Sequence, residues 1–431
     1  MANVGVIGLG YVGLTLSIIA AKKGLNVYGI ENNKDTLTSI KNGKAHFFEK
    51  GLDNALSNVL DKKLFIDEKF DKKIKFDYFI ITVGSPLYPE TKIPNTDYVA
   101  NAIASIEDFY TGNELIILRS TVSVGVTRKI VLPLLNKISG VDKEKILLAF
   151  CPERTIEGDA LSELITIPQI IGANNEESFK KSEELFRQIT PTVLRVESLE
   201  AAELVKLFNN TYRDIHFSIG NYFNEIAQSF GINGVNLIET ANYHYNRSRI
   251  AKPGLVGGPC LEKDSYILVN NMINSRGKDF VLGARLYNES LEDSIIKWIL
   301  KKTNEYKIKE IGISGMAFKG RPDNSDIRGS SSINIVNKLT EHFNEIRIHD
   351  FLVSNKDCSN LGNFYSDFYK MVKGLSLVII LNNNTRYNNL KISKMETIMC
   401  QPYLILDTWS NLDSLRLDSK LNISTLGNIY L

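Results

Sequence analysis

At 431 residues the chain exceeds what one ordinary hydrophobic core supports, so two or three domains are expected. Its 43% hydrophobic and 23% charged content is that of a water-soluble globular protein, and a net charge of +2 excludes a general attraction to nucleic acid or an anionic membrane, so an anionic partner must be met locally. Cys151, Cys260, Cys358 and Cys400 show neither CxxC nor Cys/His metal spacing, which points away from a metal site or disulfide framework and towards a reducing compartment, the cytoplasm. The apolar start from Ala2 to Gly13 lacks a basic segment and is broken by glycines, against a signal peptide, and no long apolar span follows.

Asn3 to Ile7 reads as a strand feeding Gly8-Leu9-Gly10-Tyr11-Val12-Gly13, then a helix from Leu14 to Lys23 and a second strand from Asn26 to Ile30 ending at Glu31. A bare GxGxxG is a weak signal, but strand, glycine turn, helix, strand and terminal acid in this order make a complete dinucleotide-binding unit. The glycines allow a pyrophosphate close to a helix N-terminus, and Glu31 is placed to accept from the adenosine ribose hydroxyls. A carboxylate there repels a 2′-phosphate, so NAD is expected rather than NADP. Further strands are expected at Tyr78 to Val83, Leu115 to Leu118 and Ile146 to Ala149, each ending in a polar turn: Gly84-Ser85-Pro86, Arg119-Ser120-Thr121 and Cys151-Pro152-Glu153-Arg154. Ligands of a doubly wound parallel sheet bind beyond such strand ends, although singly each turn is more often only a loop.

Ser198 to about Phe230 has one glycine and no proline, and Leu204, Leu207, Phe208, Tyr212, Ile215 and Ile219 recur at helical spacing, which predicts one long helix. Lys206 and Asn210 lie four apart on one face, a solvated face or a functional one. Apolar residues on more than one side suit a connector that also packs on a second subunit. The run Gly257-Gly258-Pro259-Cys260-Leu261-Glu262-Lys263-Asp264 sets a thiol beside glycines, a lysine and a carboxylate. Pro259 suits the first turn of a helix running through Leu268, so Cys260 is expected near a helix start, where exposed N–H groups and a nearby ammonium favour thiolate, with Asp264 one turn on. The alternative is a buried structural cysteine beside a tight turn. A helix from Phe280 to Lys302 follows, and the α/β rhythm restarts at Glu310 to Gly315, with strands at Ile346 to His349, Leu377 to Leu381 and Tyr403 to Leu406.

Six blocks in order give a resemblance to the UDP-glucose/GDP-mannose dehydrogenase family of nucleotide-sugar 6-dehydrogenases: residues 8–13, Ser120-Thr121-Val122, Cys151 to Arg154, Glu203-Leu-Val-Lys-Leu-Phe-Asn-Asn210, Gly257 to Asp264, and Ala317-Phe318-Lys319 with Asp326-Ile327-Arg328. Cys-Pro-Glu-Arg and Gly-Gly-Pro-Cys-Leu look most like the enzymes acting on UDP-N-acetylhexosamines, UDP-N-acetyl-D-mannosamine first. The resemblance implies two Rossmann-like doubly wound domains joined by a long central helix. It also implies a four-electron oxidation of a sugar C6 alcohol to the uronate with two NAD, through a thiohemiacetal and a thioester on Cys260, for surface-polysaccharide precursors. Carried over by motif, Lys206 and Asn210 stabilise the oxyanion, Asp264 acts with Lys206 around a water, Glu153 assists thioester hydrolysis and Thr121 contacts the reacting region. Gly8, Gly10, Tyr11, Val12, Gly13, Glu31, Ser85, Thr121, Lys263 and Arg328 are then the cofactor set. Glu153, Arg154, Lys206, Asn210, Gly257, Lys319 and, from a neighbouring subunit, Arg247 are the substrate set, which makes a homodimer functional.

Within the resemblance, Glu31 stands where aspartate is usual, Val83 to Pro86 replaces Val-Pro-Thr-Pro, the loop 253–258 is one residue short, and Asp407 to Ser410 lacks the usual arginine or glycine. The expected organisation is an NAD-binding domain over 1–197, a central helical dimerisation domain carrying the thiol over 198–302, and a UDP-sugar-binding domain over 303–431. UDP-glucose is the alternative substrate. A non-catalytic NAD or nucleotide-sugar binder of the same fold is the alternative of another class, against which Cys260, Lys206, Asn210, Asp264 and Glu153 stand together.

Overall fold

The computed structural model describes residues 2–430 apart from 271, 273–274 and 414–418. The chain forms two compact units, Met1–Asn209 with Tyr266–Ile273, and Asn210–Ser265 with Asn274–Leu431. The first is built on an eight-stranded sheet of β1 (Asn3–Ile7), β2 (Asn26–Ile30), β3 (Leu64–Asp67), β4 (Tyr78–Ile81), β5 (Leu115–Leu118), β6 (Leu148–Phe150), β7 (Gln169–Ala173) and β8 (Val193–Arg195) in the order β3-β2-β1-β4-β5-β6-β7-β8. The second carries six parallel strands, β9 (Ile311–Ser314), β10 (Ile346–His349), β11 (Asn363–Tyr365), β12 (Leu377–Ile380), β13 (Leu404–Asp407) and β14 (Asn422–Thr425), in the order β11-β10-β9-β12-β13-β14. Both sheets reverse direction of growth beside their first strand, the doubly wound arrangement. Their central strands are apolar throughout because both faces are covered: Leu115 and Ile117 of β5 enter one core cluster while Ile116 and Leu118 enter another.

The first sheet is not wholly parallel, a departure from the expected all-parallel sheet. β7 runs antiparallel to β6, pairing Ala149 with Ala173 and Phe150 with Gly172. Gly172 is packed so closely on the turn before the long helix that a Cβ would lie 2.2 Å from the Ser198 carbonyl. The reversal matters for the site, since it brings the start of β7, Pro168 and Gln169, beside the carboxyl ends of β5 and β6.

The predicted long helix is present as Leu199–Ser229, 31 residues, running out of the first unit and into the second. Ser198 caps it by accepting the Ala201 N–H at 3.1 Å. Of the apolar residues read for it, Leu207 is buried, Leu204 and Ile215 are half-buried, and the others lie on an exposed side. Phe208, Tyr212, Ile219, Tyr222, Phe223 and Phe230 are exposed, whereas Asn210, Asp214, Asn221, Asn224 and Gln228 are buried. The buried row is tolerated because each of its members has a hydrogen-bond partner, such as the Leu426 carbonyl for both Asn224 and Gln228, at 2.9 Å each. Helices Leu261–Val269 and Ser275–Tyr306 follow, and no helix among the described residues is long and apolar enough to cross a membrane.

At the end of β9, a buried chain of polar groups links Ser314 Oγ to His349 Nδ1 at 2.8 Å and to the Tyr387 hydroxyl at 2.6 Å, while His349 Nε2 has no partner among the described residues. Burial pushes His349 down to about 4, with Asp367 opposing weakly. The folded pKa lies below the unfolded value of about 6.5, so the neutral ring contributes stability above pH 6.5 that is lost as pH falls towards 4. Urea titrations of the parent and His349→Gln over that window should show the parent losing up to about 3 kcal/mol relative to the variant. A constant difference would assign no burial cost to this ring.

Candidate active site

Each glycine of the first turn has a separate geometric reason. Gly8 has φ of +88°, a Cβ on Gly13 would lie 1.9 Å from the Gly8 carbonyl, and Gly10, the residue capping helix Tyr11–Lys22, would meet nothing within 4 Å. The turn is therefore bent at the first glycine, closed by the third and open at the second, against the unpaired N–H groups of a helix start, which fits a pyrophosphate. Glu31 accepts the N–H groups of Leu9 and Asn33, each at 2.9 Å. A carboxylate has about four acceptor positions, so room remains for ribose hydroxyls. Tyr11 differs from its neighbours in the turn. Its hydroxyl is bound to buried Glu49, which also accepts Gly158 N–H at 2.7 Å and Ala160 N–H at 2.9 Å, and burial with the Glu49 charge pushes the phenol up. Only the backbone of Tyr11 is left for an anion. Val12 and Ser85 are half-buried.

At the carboxyl ends of β5 and β6 the same unit holds a buried ion pair. Arg119 bonds Glu153 through Nε at 3.1 Å and through its Nη2, and its Nη1 reaches the Cys151 carbonyl at 3.1 Å and Gln169 Oε1 at 2.8 Å. The other Glu153 oxygen accepts the N–H groups of Arg154 and Thr155 at 2.7 Å each. Burial would raise the Glu153 carboxyl, but Arg119, the Thr155 N–H and the Lys206 ammonium together hold it below the usual carboxylate range. Glu203, one turn before Lys206, accepts from Thr127 N–H at 2.9 Å, from the Thr127 hydroxyl and from Gly125 N–H, fixing the turn that follows half-buried Thr121. Burial raises its carboxyl despite these bonds. The Arg154 guanidinium is bound to the Pro168 carbonyl.

In the second unit the helix expected around the thiol begins at Leu261, so Pro259 and Cys260 stand in the turn before it and not in its first turn. The reason is the turn itself: Gly258 has φ of +96°, its N–H is bonded to the Gly329 carbonyl at 2.7 Å, and the Cys260 carbonyl accepts the Asp264 N–H at 2.9 Å. A Cβ on Gly257 would lie 2.4 Å from that Gly329 carbonyl. Cys260 is half-buried at the helix cap. Fully buried Asp264 takes Asn210 Nδ2 at 2.6 Å on one oxygen and Lys263 Nζ at 2.9 Å on the other. Burial works against the Lys263 ammonium, but Asp264 and then Cys260 outweigh it and hold its pKa above the ordinary lysine value. Arg328 is bound to Asp326, Lys319 lies 5.4 Å over the Phe318 ring, and exposed Arg247 lies 5.9 Å over the Tyr245 ring. Asp214 and Arg285 were not singled out by the sequence, and Arg119 only as the first residue of the turn after β5. A charged residue directly behind the four apolar residues of β5 was the one available signal for Arg119, and the other two sit without distinction in helical stretches.

A dinucleotide turn on a doubly wound sheet, followed by a thiol held beside a lysine–carboxylate pair, defines an NAD-linked oxidoreductase. The chain belongs to the UDP-glucose/GDP-mannose dehydrogenase family: residues 2–190 match its NAD binding domain, 200–289 its central domain and 312–414 its UDP binding domain. A UDP-N-acetyl-D-mannosamine dehydrogenase of Methanocaldococcus jannaschii is 32% identical over 94% of this chain and 91% of its own. The structure of the UDP-N-acetyl-D-mannosamine dehydrogenase from Pyrococcus horikoshii superposes with a TM-score of 0.89 at 27% identity, covering 100% of both chains. That of Staphylococcus aureus UDP-N-acetyl-mannosamine dehydrogenase gives 0.86 at 27% identity over 100% of this chain and 99% of its own.

NAD is the cofactor of this family domain, and a carboxylate placed as Glu31 is, directly after β2, would repel a 2′-phosphate bound there. An unpaired 2′-phosphate against that charge costs several kcal/mol. The ratio of kcat/KM for NAD over NADP should therefore be at least about 100, and Glu31→Ser should narrow it; equal values in the parent would remove Glu31 from this role.

Proposed function

We propose that the chain oxidises the C6 hydroxyl of a UDP-N-acetylhexosamine, UDP-N-acetyl-D-mannosamine first, to the uronate, and that Cys260 carries the second oxidation. The single observation that supports this most is the arrangement of Cys260 at a helix cap with Lys263, Asp264 and Asn210 bonded into one cluster beside it. The named relatives support the sugar. When bound, NAD supplies the hydride acceptor twice per turnover, held by the glycine turn and Glu31.

The chemistry follows from the electrons. The alcohol loses one hydride and one proton and becomes an aldehyde, whose carbon is trigonal and gives up a second hydride poorly. Addition of the Cys260 thiolate makes that carbon tetrahedral, a thiohemiacetal, and the oxyanion formed is met by Lys206 and Asn210. Loss of the second hydride leaves a thioester, and water then releases the carboxylate and returns the thiol. Overall one alcohol, two NAD and one water give one carboxylate, two NADH and three protons. Glu153, kept ionised by Arg119, orients groups by accepting hydrogen bonds and assists the hydrolysis, with Asp264 and Lys206 ordering the water. Thr121 is assigned to the reacting region, Lys263 and Arg328 to the cofactor, and Arg154, Gly257 and Lys319 to the substrate. The exposed aromatic row of the long helix, Tyr212, Tyr222 and Phe223 among it, with Phe230 directly after its end, supports a homodimer in which Arg247 serves the neighbouring copy's site. In this reading 1–197 binds NAD, 198–302 carries the thiol and the dimer contact, and 303–431 binds the UDP-sugar.

A panel of UDP-sugars followed by NADH absorbance should show UDP-N-acetyl-D-mannosamine turned over with two NADH per uronate. Far faster oxidation of UDP-glucose would move the chain to the other branch of the family. Cys260→Ala should abolish uronate formation. Cys260→Ser can still add to the aldehyde, but its ester is hydrolysed far less readily, so mass spectrometry should find the sugar nucleotide attached at residue 260. Turnover near the parent rate in Cys260→Ala would mean a hydrated free aldehyde instead, and the covalent mechanism would fail.

A further inference from the structure

Arg285, in the middle of helix Ser275–Tyr306, is 1% exposed, among the largest fully buried side chains. Its guanidinium donates to the Val256 carbonyl at 2.9 Å, to the Leu261 carbonyl at 3.1 Å and to Asp214 Oδ1 at 2.8 Å, with Glu289 3.3 Å from its Nε. Val256 stands directly before the paired glycines and Leu261 directly after Cys260. One side chain thus fastens both ends of the thiol's turn. Asp214, one turn beyond Asn210 on the long helix, holds the fork in place and receives Ser265 Oγ and Asn288 Nδ2, each at 2.8 Å. Asn288 Oδ1 takes Asn221 Nδ2 at 3.0 Å, and Asn221 grips Gly254 through both its N–H, at 2.9 Å, and its carbonyl, at 3.1 Å. The turn's entry, its exit and the helix that carries Asn210 are tied to a single buried charge pair.

We propose that Arg285 is a positioning residue for Cys260: its planar fork sets the spacing of the Val256 and Leu261 carbonyls and so places the thiol at the helix cap. A buried ion pair of this kind is a poor source of stability, because desolvation offsets the attraction, and two apolar residues of similar volume often serve folding as well. What apolar residues cannot do is hold two carbonyls at fixed positions. Lysine cannot do it either, since one ammonium lacks the rigid fork that spans them. The inference rests on the proposed role of Cys260 as nucleophile.

Arg285→Lys should stay folded, keep the parent KM for NAD and lose roughly 10–100-fold in kcat, the cost of an ångström-scale misplacement. A second readout is independent of turnover: the rate of iodoacetamide alkylation at Cys260, counted by peptide mass spectrometry against exposed Cys400 in the same sample, should fall by about tenfold. Should Arg285→Lys not fold, Asp214→Leu/Arg285→Met removes both charges and should fold while showing the same losses. Folded variants with kcat and Cys260 alkylation within about twofold of the parent would overturn the proposal, as would a double variant that cannot fold, which would make the pair a folding requirement. If Cys260→Ala retains turnover, the nucleophile reading fails while the alkylation comparison still reports on Arg285.

Discussion

A buried polar side chain costs several kcal/mol unless it is hydrogen-bonded, and the long helix buries a whole row of them. Asn210, Asp214, Asn221, Asn224 and Gln228 follow one another at spacings of four, seven, three and four along a single face. A leucine face would accept small rotations and slides of the helix. This face does not, because each displacement would leave an amide or carboxylate without its partner. The partners are backbone groups at Gly254 and Leu426 and side chains at Asp264, Arg285 and Asn288, so the helix register and the course of the loop before Cys260 fix each other.

The buried carboxylates show how differently the same group is handled when its neighbours change. Glu153 faces a guanidinium and a nearby ammonium and stays ionised although burial opposes it. Glu203 is offered only neutral donors, two N–H groups and a hydroxyl, and burial prevails, raising its pKa. Charge on the partner, not the number of hydrogen bonds, decides the outcome. The consequence is a division of labour within the first unit: Glu203, on the long helix, shapes the backbone after Thr121, while Glu153, in the loop after β6, remains an anion that orients donors. A carboxylate already gripped by Arg119 on one oxygen and by two N–H groups on the other is suited to orientation more than to carrying a proton.

Most of the first unit was legible because its signals are local. A glycine turn, a following helix and a terminal acid require no distant contact to be recognised, and β1, β2 and β5 coincide with the apolar runs read for them. Strands at or near the sheet edges were not legible: β8 is Val-Leu-Arg with two exposed residues, β11 is Asn-Phe-Tyr, and neither has the apolar content that burial on two faces imposes. The long helix was legible in extent and not in orientation. Apolar residues on more than one side read as a connector with a second packing face, and nothing in that spacing marked the polar row as the buried one, a choice made by partners up to two hundred residues away. The thiol's setting was visible in the run from Gly257 to Asp264. Its support was not, since Asp214 and Arg285 are 71 residues apart and acquire meaning only where they meet.

The second sheet repeats the topology of the first without repeating its glycine turn, and the difference lies in two features of its leading strands. Asp350 follows β10 as Glu31 follows β2, and it too accepts backbone N–H groups from the turn after the first strand. It accepts four, from Met316 and Ala317 on one oxygen and from Leu352 and Val353 on the other, which fills a carboxylate. Glu31 is bonded by two, so ribose hydroxyls still have a place there and have none at Asp350. The connection after the strand differs as well. Gly10 is followed at once by helix Tyr11–Lys22, whereas β9 leads into a long loop before helix Ser331–Leu339. That loop presents Phe318, Lys319, Asp326 and Arg328, and its Gly329 carbonyl anchors Gly258 beside the thiol. The same sheet thus holds a dinucleotide turn in one unit and, in the other, a loop that braces the turn of Cys260.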